Sequence, residues 1–170
     1  MRYIKHCMTI PNIRCKGQYE IDLLAMSPST GERFHIETTV SISKGFRKLT
    51  DLAFDPELLK KRVHTARQRR TVGYFADRKF KAPELLDTLA GYGFKEGNYA
   101  KVIVTWEWTS GALAQATQAE ITVWSIKALM NEIAEEFRST NHYFTDDTLR
   151  TLYLYDQANR AQVGHDRTPQ

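Results

Sequence analysis

The N-terminal third of the chain has a pattern that is typical of β-structure. Apolar and polar residues are mixed over residues 8–15, which predicts a short first strand. Residues 19–26 become apolar after Asp22, and residues 34–42 combine spaced apolar positions with many β-branched side chains. The turn-rich residues 27–32 separate these two segments. We therefore predict that the two segments form an antiparallel hairpin.

The middle of the chain has helix signals. The Asp-Pro-Glu sequence at 55–57 combines a capping residue, a proline in the first turn and an acid near the positive end of the helix dipole. It predicts a helix that continues to about residue 70. Residues 71–75 are short and apolar and predict a strand. Residues 83–90 predict a second short helix, which a glycine ends.

The C-terminal half alternates between strand and helix patterns. A nearly continuous apolar run at 99–106 predicts a buried strand, and residues 111–118 predict one or two helical turns. Residues 121–124 predict another strand, after which Ser125 caps a helix. The apolar stripe of that helix contains Ile126, Leu129, Met130, Ile133 and Phe137. A final helix over 145–160 either closes the core or provides a dimer surface.

This order of elements predicts one α/β domain over residues 1–160, with a mixed sheet between helices and a flexible tail over 161–170. No apolar run approaches the roughly 20 residues of a membrane span, and the N-terminus lacks the apolar region of a signal peptide. Two cysteines are too few for a disulfide framework. We expect a cytoplasmic protein in which Cys7 and Cys15 are reduced. The alternatives are a Cys7–Cys15 disulfide or a metal site with His6.

The charge is distributed unevenly along the chain. Residues 1–81 contain 17 Lys and Arg against 8 Asp and Glu, whereas residues 82–170 contain 7 against 12. A basic half suits a polyanionic partner, although the same distribution is compatible with no such role. The densest basic cluster, which we predict to contact phosphates, contains Lys60, Lys61, Arg62, Arg67, Arg69 and Arg70. Its alternative interpretation is a solvated helix face.

Known signatures restrict the classes of function further. The chain has no helix-turn-helix, zinc-finger or RNA-recognition motif, so sequence-specific reading of nucleic acid is unsupported. It also has no glycine-rich phosphate loop, which excludes a P-loop NTPase. Trp106 and Trp108 either stack on bases or close the edge of a core.

Two acids on the predicted hairpin are candidates for chemistry. Neighbouring strands lie about 4.8 Å apart, so Asp22 and Glu37 on one face can converge on a single Mg²⁺ ion. Glu20 shares the face of Asp22 by strand alternation and is a candidate third ligand or supporting acid. His35 precedes Glu37 by two residues and is either a proton carrier or the filling of a half-buried strand. The alternative is that the acids lie on a solvated face without a metal.

These residues carry a resemblance to a known family. The segments Gly-Gln-Tyr-Glu-Ile-Asp-Leu-Leu-Ala at 17–25 and Phe-His-Ile-Glu-Thr-Thr-Val at 34–40 resemble the core motif of the PD-(D/E)xK nuclease superfamily. The strand and helix that begin at residue 121 are similar to those that end the core of Mrr-like members. The resemblance covers roughly residues 12–137. It implies a restriction-endonuclease-like mixed sheet flanked by helices, here with an extra C-terminal helix.

The resemblance also implies an activity, which is Mg²⁺- or Mn²⁺-dependent hydrolysis of DNA, often by a homodimer. Asp22 and Glu37 would bind the metal, with the backbone carbonyl of Thr38 as a further ligand and Glu20 in support. Thr39 occupies the position at which the family has its lysine. A threonine is uncharged and cannot stabilise developing negative charge as an ammonium does.

Three explanations of Thr39 remain open. The lysine has migrated, in which case Lys16, just before the Asp22 strand, is the favoured substitute and Lys44 and Lys48 are the others. A second explanation is a slow nuclease that depends on metal alone. A third is a catalytically inactive module that kept the fold to bind nucleic acid or a protein partner. A further alternative, outside the nuclease fold, is a structural protein in which the two acids have no functional role.

Overall fold

The computed structural model describes residues 1, 5–139 and 144–165, and within them the side chains except those of 62–64, 139 and 159–165. The chain divides into two compact units, Met1–Leu129 and Met130–Gln170, so the predicted domain over 1–160 spans both. The strands are β1 (Met8–Arg14), β2 (Glu20–Met26), β3 (Arg33–Thr39), β4 (Lys48–Leu49), β5 (Ala100–Thr105), β6 (Glu107–Trp108) and β7 (Ile121–Ser125). The helices are α1 (Pro56–Leu59), α2 (Arg62–Gln68), α3 (Val72–Tyr74), α4 (Pro83–Gly91), α5 (Ser110–Gln118), α6 (Ile126–Ser139) and α7 (Asp147–His165).

A five-stranded mixed sheet forms the centre of the first unit, in the order β1-β2-β3-β5-β7. Strand β2 is antiparallel to both of its neighbours, as the predicted hairpin requires. Strands β3, β5 and β7 are parallel to one another. The short strands β4 and β6 form a separate parallel pair. The predicted α/β class with a mixed sheet is therefore confirmed.

Helices pack on opposite faces of this sheet because successive strand side chains alternate between the faces. Val102 packs in a core cluster with Ile36 and with Ile126 at the start of α6. Its neighbour Ile103 belongs to a different cluster, which includes Ala112 of α5. A third cluster joins α4 to β1 and β2. The sheet is thus flanked by helices on both faces, as predicted.

The prediction of one helix from residue 55 to residue 70 is wrong. Asp55 does cap its start, because its Oδ1 accepts a hydrogen bond from the Glu57 N–H at 2.9 Å. Helix α1 ends at Leu59, however, and Lys61 has an extended backbone (φ −94°, ψ 108°) before α2 begins. The basic residues of 60–70 consequently do not share a single helical face.

The predicted strand at 71–75 is also wrong. The Thr71 hydroxyl accepts a hydrogen bond from the Tyr74 N–H at 3.1 Å and so caps α3. A π-helical segment, Phe75–Phe80, continues directly from α3. Both of its terminal phenylalanines are buried in the core cluster that contains Ile103. The apolar side chains of this segment are therefore buried while their backbone is helical rather than extended.

The remaining predictions for the first unit agree with the structure to within a few residues. Helices α4 and α5 and strands β5 and β7 form where they are expected. The predicted cap at Ser125 is present, since its hydroxyl accepts a hydrogen bond from the Ala128 N–H at 3.4 Å. Strand β3 ends at Thr39 rather than at Ile42, a residue that is 76% exposed.

The second unit contains most of α6 and all of α7. The rings of Phe137, Phe144 and Tyr153 form an aromatic cluster with centroids 4.9–5.7 Å apart. Helix α7 continues to His165, so the predicted tail begins inside a helix, and residues 166–170 lie outside the described residues. Among the described residues, no helix combines the length and the apolar character needed to cross a membrane.

Candidate active site

Asp22 and Glu37 lie side by side at the end of the β2–β3 hairpin. The ladder of Cα pairs ends at Leu23 and Ile36, immediately before the two acids. Beyond it, the Asp22 N–H donates to Glu37 Oε1 at 3.4 Å, and the Thr38 N–H donates to Asp22 Oδ2 at 2.7 Å. Each carboxylate thus accepts a hydrogen bond from the backbone of the opposite strand. The structure brings the two acids together as strand alternation predicts.

A lysine lies between these two carboxylates. Lys79 Nζ is 2.5 Å from Glu37 Oε2 and 3.5 Å from Asp22 Oδ1. The same ammonium donates to the backbone carbonyl of Glu20 at 2.6 Å. Only 16% of the Lys79 side chain is exposed. The site therefore consists of two acids and one cation that are held at contact distance.

The π-helical segment explains how Lys79 reaches the site. The five-residue hydrogen-bonding interval of a π-turn brings residues five apart close together, and such turns are frequent at functional sites. Phe75 and Phe80 are five apart and both pack into the core. Tyr74 and Lys79 are also five apart, and both line the cleft beside Asp22. Burial of the two phenylalanines thereby directs the lysine toward the carboxylates.

His35 fixes the other oxygen of Glu37. Its Nε2 lies 2.9 Å from Glu37 Oε1, and both side chains are completely buried. The imidazole packs edge-on against the Phe80 ring, with centroids 4.8 Å apart. A hydrogen bond to a carboxylate requires the proton on Nε2, and Nδ1 has no hydrogen-bond partner among the described residues. His35 lies on the same face of the strand as Glu37, as predicted, but its side chain is fully buried rather than half-buried.

Burial and charge oppose each other in this group. Burial raises the pKa of the Glu37 carboxyl above its ordinary value of 4.5, although the hydrogen bond from His35 opposes the shift. Burial lowers the pKa of Lys79, but the charges of Glu37 and Asp22 outweigh it and raise that pKa above 10.5. Burial also raises the pKa of the Tyr74 hydroxyl. Lys79 is consequently positively charged at neutral pH.

The site opens into a cleft of about 410 Å³. Its lining residues are Asp22, Thr38, Thr39, Ser41, Phe46, Ala66, Arg69, Arg70, Tyr74, Phe75 and Lys79. Two of the predicted phosphate-binding residues, Arg69 and Arg70, are among them. Lys60 instead forms an exposed ion pair with Glu57. The exposed residues Lys61 and Arg67 do not line the cleft, and the Arg62 side chain lies outside the described ones.

The lysine beside the acids is not one that the sequence indicated. Lys16 lies in a 3₁₀ turn before β2, and it is exposed, as are Lys44 and Lys48. None of these three belongs to the ion pairs that the structure describes for Asp22 and Glu37. Among the described residues, the lysine that contacts both acids is thus Lys79 and not the favoured Lys16. Lys79 stands in a basic stretch without a distinctive motif, so no local signal in the sequence indicated it.

The other residues of the predicted motif lie close to the same site, and the role of the Thr38 carbonyl as a metal ligand stays a prediction. The Glu20 carboxylate lies 4.0 Å from Arg14, so this residue meets Lys79 through its backbone carbonyl instead. Thr38 contacts Asp22 through its N–H and through its hydroxyl, both at 2.7 Å. Thr39 is buried at the wall of the cleft, where its carbonyl accepts a hydrogen bond from Arg70 at 3.4 Å.

The tryptophans and cysteines lie elsewhere. Trp108 packs against the core cluster around Ile103, and Lys127 lies over the Trp106 ring at 5.5 Å. Neither tryptophan lines the cleft. Cys7 and Cys15 are free thiols. Among the described residues, no group of three or more His, Cys, Asp and Glu side chains is arranged to hold a metal, so no such site forms around these cysteines.

The two acids nevertheless suit a hard cation. Mg²⁺ prefers oxygen ligands and commonly takes one or two carboxylates together with water and substrate phosphate. The contacts of Lys79 Nζ show that Asp22 and Glu37 both present an oxygen to one positive charge. About a quarter of the Asp22 side chain is exposed, so one of these ligands is accessible from the cleft. The donor set fits a divalent ion provided that Lys79 moves away from Glu37.

Comparison with known proteins identified no relative of this chain. No family model matches the chain. Searches of the curated proteins and of the solved structures likewise give no match.

Proposed function

We propose that this protein is a metal-dependent endonuclease of the restriction-endonuclease-like fold that hydrolyses phosphodiester bonds in DNA. One observation carries the proposal: the Lys79 ammonium contacts both Asp22 and Glu37 beside a cleft that Arg69 and Arg70 also line. Two acids and a lysine are the residue types that the PD-(D/E)xK resemblance calls for. Lys79 supplies the positive charge that is missing at position 39, and it does so from a helical segment instead of from β3.

Asp22 and Glu37 are the residues that would hold the metal. When bound there, a Mg²⁺ or Mn²⁺ ion lowers the pKa of a water ligand and offsets negative charge on the phosphodiester. His35 and the Asp22 N–H keep Glu37 Oε1 occupied, which leaves Oε2 to face the cation. Thr38 holds Asp22 Oδ2 in the same way. The protein therefore orients one oxygen of each acid toward a common point.

Lys79 acts on the reacting phosphate. In hydrolysis, a water oxygen forms a new bond to phosphorus, one ester P–O bond breaks, and a proton passes to the departing oxygen. Negative charge grows on the phosphoryl oxygens during this step, and an ammonium in a partly dry site stabilises such charge strongly. Arg69 and Arg70 line the same cleft and would hold neighbouring phosphates.

The test is cleavage of plasmid and single-stranded DNA with Mg²⁺ or Mn²⁺. We expect wild type to cleave and the variants Asp22→Asn, Glu37→Gln and Lys79→Met to lose at least about a hundredfold in rate. The matched control is Lys81→Met, because Lys81 is exposed and lies only two residues from Lys79 but outside this cleft. Thermal unfolding of each variant must show that it remains folded.

Other results identify the alternatives. Cleavage that persists in all three variants would contradict the proposal. Cleavage that survives Lys79→Met but not Lys16→Met would return the role to Lys16. A wild-type protein that binds DNA in EDTA and never cleaves it would be the inactive nuclease-fold module, in which the Lys79–Glu37 pair has become purely structural.

A further inference from the structure

The cleft beside the acids has a wall of mixed basic and aromatic character. Among its lining residues the cations are Arg69, Arg70 and Lys79, and the anion is Asp22. Lys79 is paired with Asp22 and with the buried Glu37, so the excess positive charge of the cleft comes from Arg69 and Arg70. Positive charge in a concave site raises the local concentration of polyanions. A polyanion that enters this cleft comes within reach of the two carboxylates and the lysine described above.

Phe46 gives this wall an exposed aromatic ring. It lies in the segment that follows β3, and 36% of its surface is exposed. The Arg70 guanidinium lies 5.7 Å from the centroid of the ring, and Arg70 Nη1 is in turn held by the Thr39 carbonyl. A ring that is packed on an anchored arginine and is still partly open to solvent is suited to stacking.

We propose that the cleft takes a DNA strand with an unpaired base, which stacks on Phe46 while Arg69 binds an adjacent phosphate. This inference rests on the proposed function, of which it specifies the substrate class. Stacking needs a free base face, which paired bases inside a duplex do not offer. The cleft, at about 410 Å³, is also in the range of small-ligand sites, roughly 300–1,000 Å³, and accommodates a nucleotide rather than a double helix.

The two contacts make separable contributions to affinity. Stacking of one base on an aromatic side chain tolerates any sequence and contributes a factor of roughly ten in affinity. A phosphate contact from Arg69 contributes mainly through the release of counterions. For single strands each such contact adds about 0.7 to the slope of log affinity against log salt concentration.

The experiment measures binding without cleavage, by fluorescence anisotropy in EDTA with labelled oligo(dT) and a labelled blunt-ended duplex of two fully complementary strands. We expect wild type to bind oligo(dT) more tightly than the duplex. Phe46→Leu should weaken oligo(dT) binding about tenfold and leave duplex binding unchanged, while Phe46→Trp retains wild-type affinity. The control is Tyr92→Leu, which removes an exposed aromatic ring outside the cleft and should change nothing.

The salt dependence tests the second contact. Arg69→Gln should lower the salt slope for oligo(dT) by about 0.7. Equal loss of affinity in Phe46→Leu and Tyr92→Leu would overturn the inference, as would duplex binding at least as tight as oligo(dT) binding or no binding of either probe. The outcome is separable from that of the proposed function. If no DNA is cleaved but Phe46→Leu still loses affinity selectively, the stacking site stands and the nuclease fails.

Discussion

Lys79 Nζ lies 2.5 Å from Glu37 Oε2, with the Glu37 side chain completely buried and the Lys79 side chain 16% exposed. A buried ion pair has a characteristic energetic asymmetry: loss of one partner is expensive, because it leaves a charge without compensation, whereas loss of both is much cheaper. This asymmetry allows the pair to be tested for stability independently of any catalytic role.

We expect Lys79→Met to lower the free energy of unfolding by about 3 kcal/mol in EDTA at neutral pH. The double variant Lys79→Met/Glu37→Gln should be more stable than Lys79→Met alone, because it removes the uncompensated carboxylate. Urea denaturation of wild type, both single variants and the double variant gives the coupling free energy directly. Additive effects of the two substitutions would mean that the pair is not coupled.

The pKa of Glu37 leads to a prediction about pH. Because burial raises this pKa, the folded state binds the proton more tightly than the unfolded state. The contribution of Glu37 to stability is therefore fully present below its ordinary pKa of 4.5 and is lost as the pH rises through the folded value. Glu37→Gln should lack this loss.

The measurement is the free energy of unfolding from about pH 5 to pH 8 in EDTA. Subtracting the unfolding free energy of Glu37→Gln from that of wild type cancels the contributions of groups common to both proteins. This difference should decrease as the pH rises. The contribution of Lys79 is constant over this range, because its raised pKa leaves that contribution fully present below 10.5 and removes it only as the pH rises above that value. A difference that stays constant across the neutral range would show that Glu37 titrates normally.

His35 should act as a positioning residue for Glu37. We compare His35→Gln, which keeps a hydrogen-bond donor, with His35→Leu, which keeps apolar bulk but has no donor. His35→Leu should lose about 2 kcal/mol more stability than His35→Gln, because it leaves Glu37 Oε1 without its side-chain donor. It should also weaken Mn²⁺ binding, measured by calorimetry, whereas a purely packing role predicts equal affinities for the two variants.

Gly73 is required by a close approach of the chain. A Cβ at this position would lie 2.7 Å from the Cβ of Phe54, which is closer than such atoms come. Gly73→Ala should therefore lower the unfolding free energy by about 2 kcal/mol and displace the neighbouring Tyr74. Gly91→Ala is the matched control, because a Cβ there meets nothing within 4 Å. Similar stability of the two variants would show that Phe54 moves aside freely.

Local patterns in the sequence were sufficient for the acidic half of the site. Strand alternation with a turn between two segments predicted that Asp22 and Glu37 face each other, and the structure has them in this arrangement. The same local rules predicted β5, β7, α4 and the Ser125 cap. These features depend on backbone geometry and on burial of nearby side chains, which a few consecutive residues determine.

Local patterns could not predict the cation of the site, Lys79. Lys79 stands in a basic stretch without a distinctive motif, and Lys16 was favoured because it is close to Asp22 in sequence. The single helix expected over 55–70 and the strand expected at 71–75 were both wrong, so the π-helical segment was not predicted. Phe75 and Phe80 can bury together only once Leu49 and Ile103 provide a core for them.

The sequence by itself thus determined that two acids share one face of two neighbouring strands, because alternation along a strand is a local property. Only the tertiary structure decided which cation meets them and which arginines line the cleft. Those choices depend on how a helical segment packs over the sheet, and that packing depends on residues far apart in the chain.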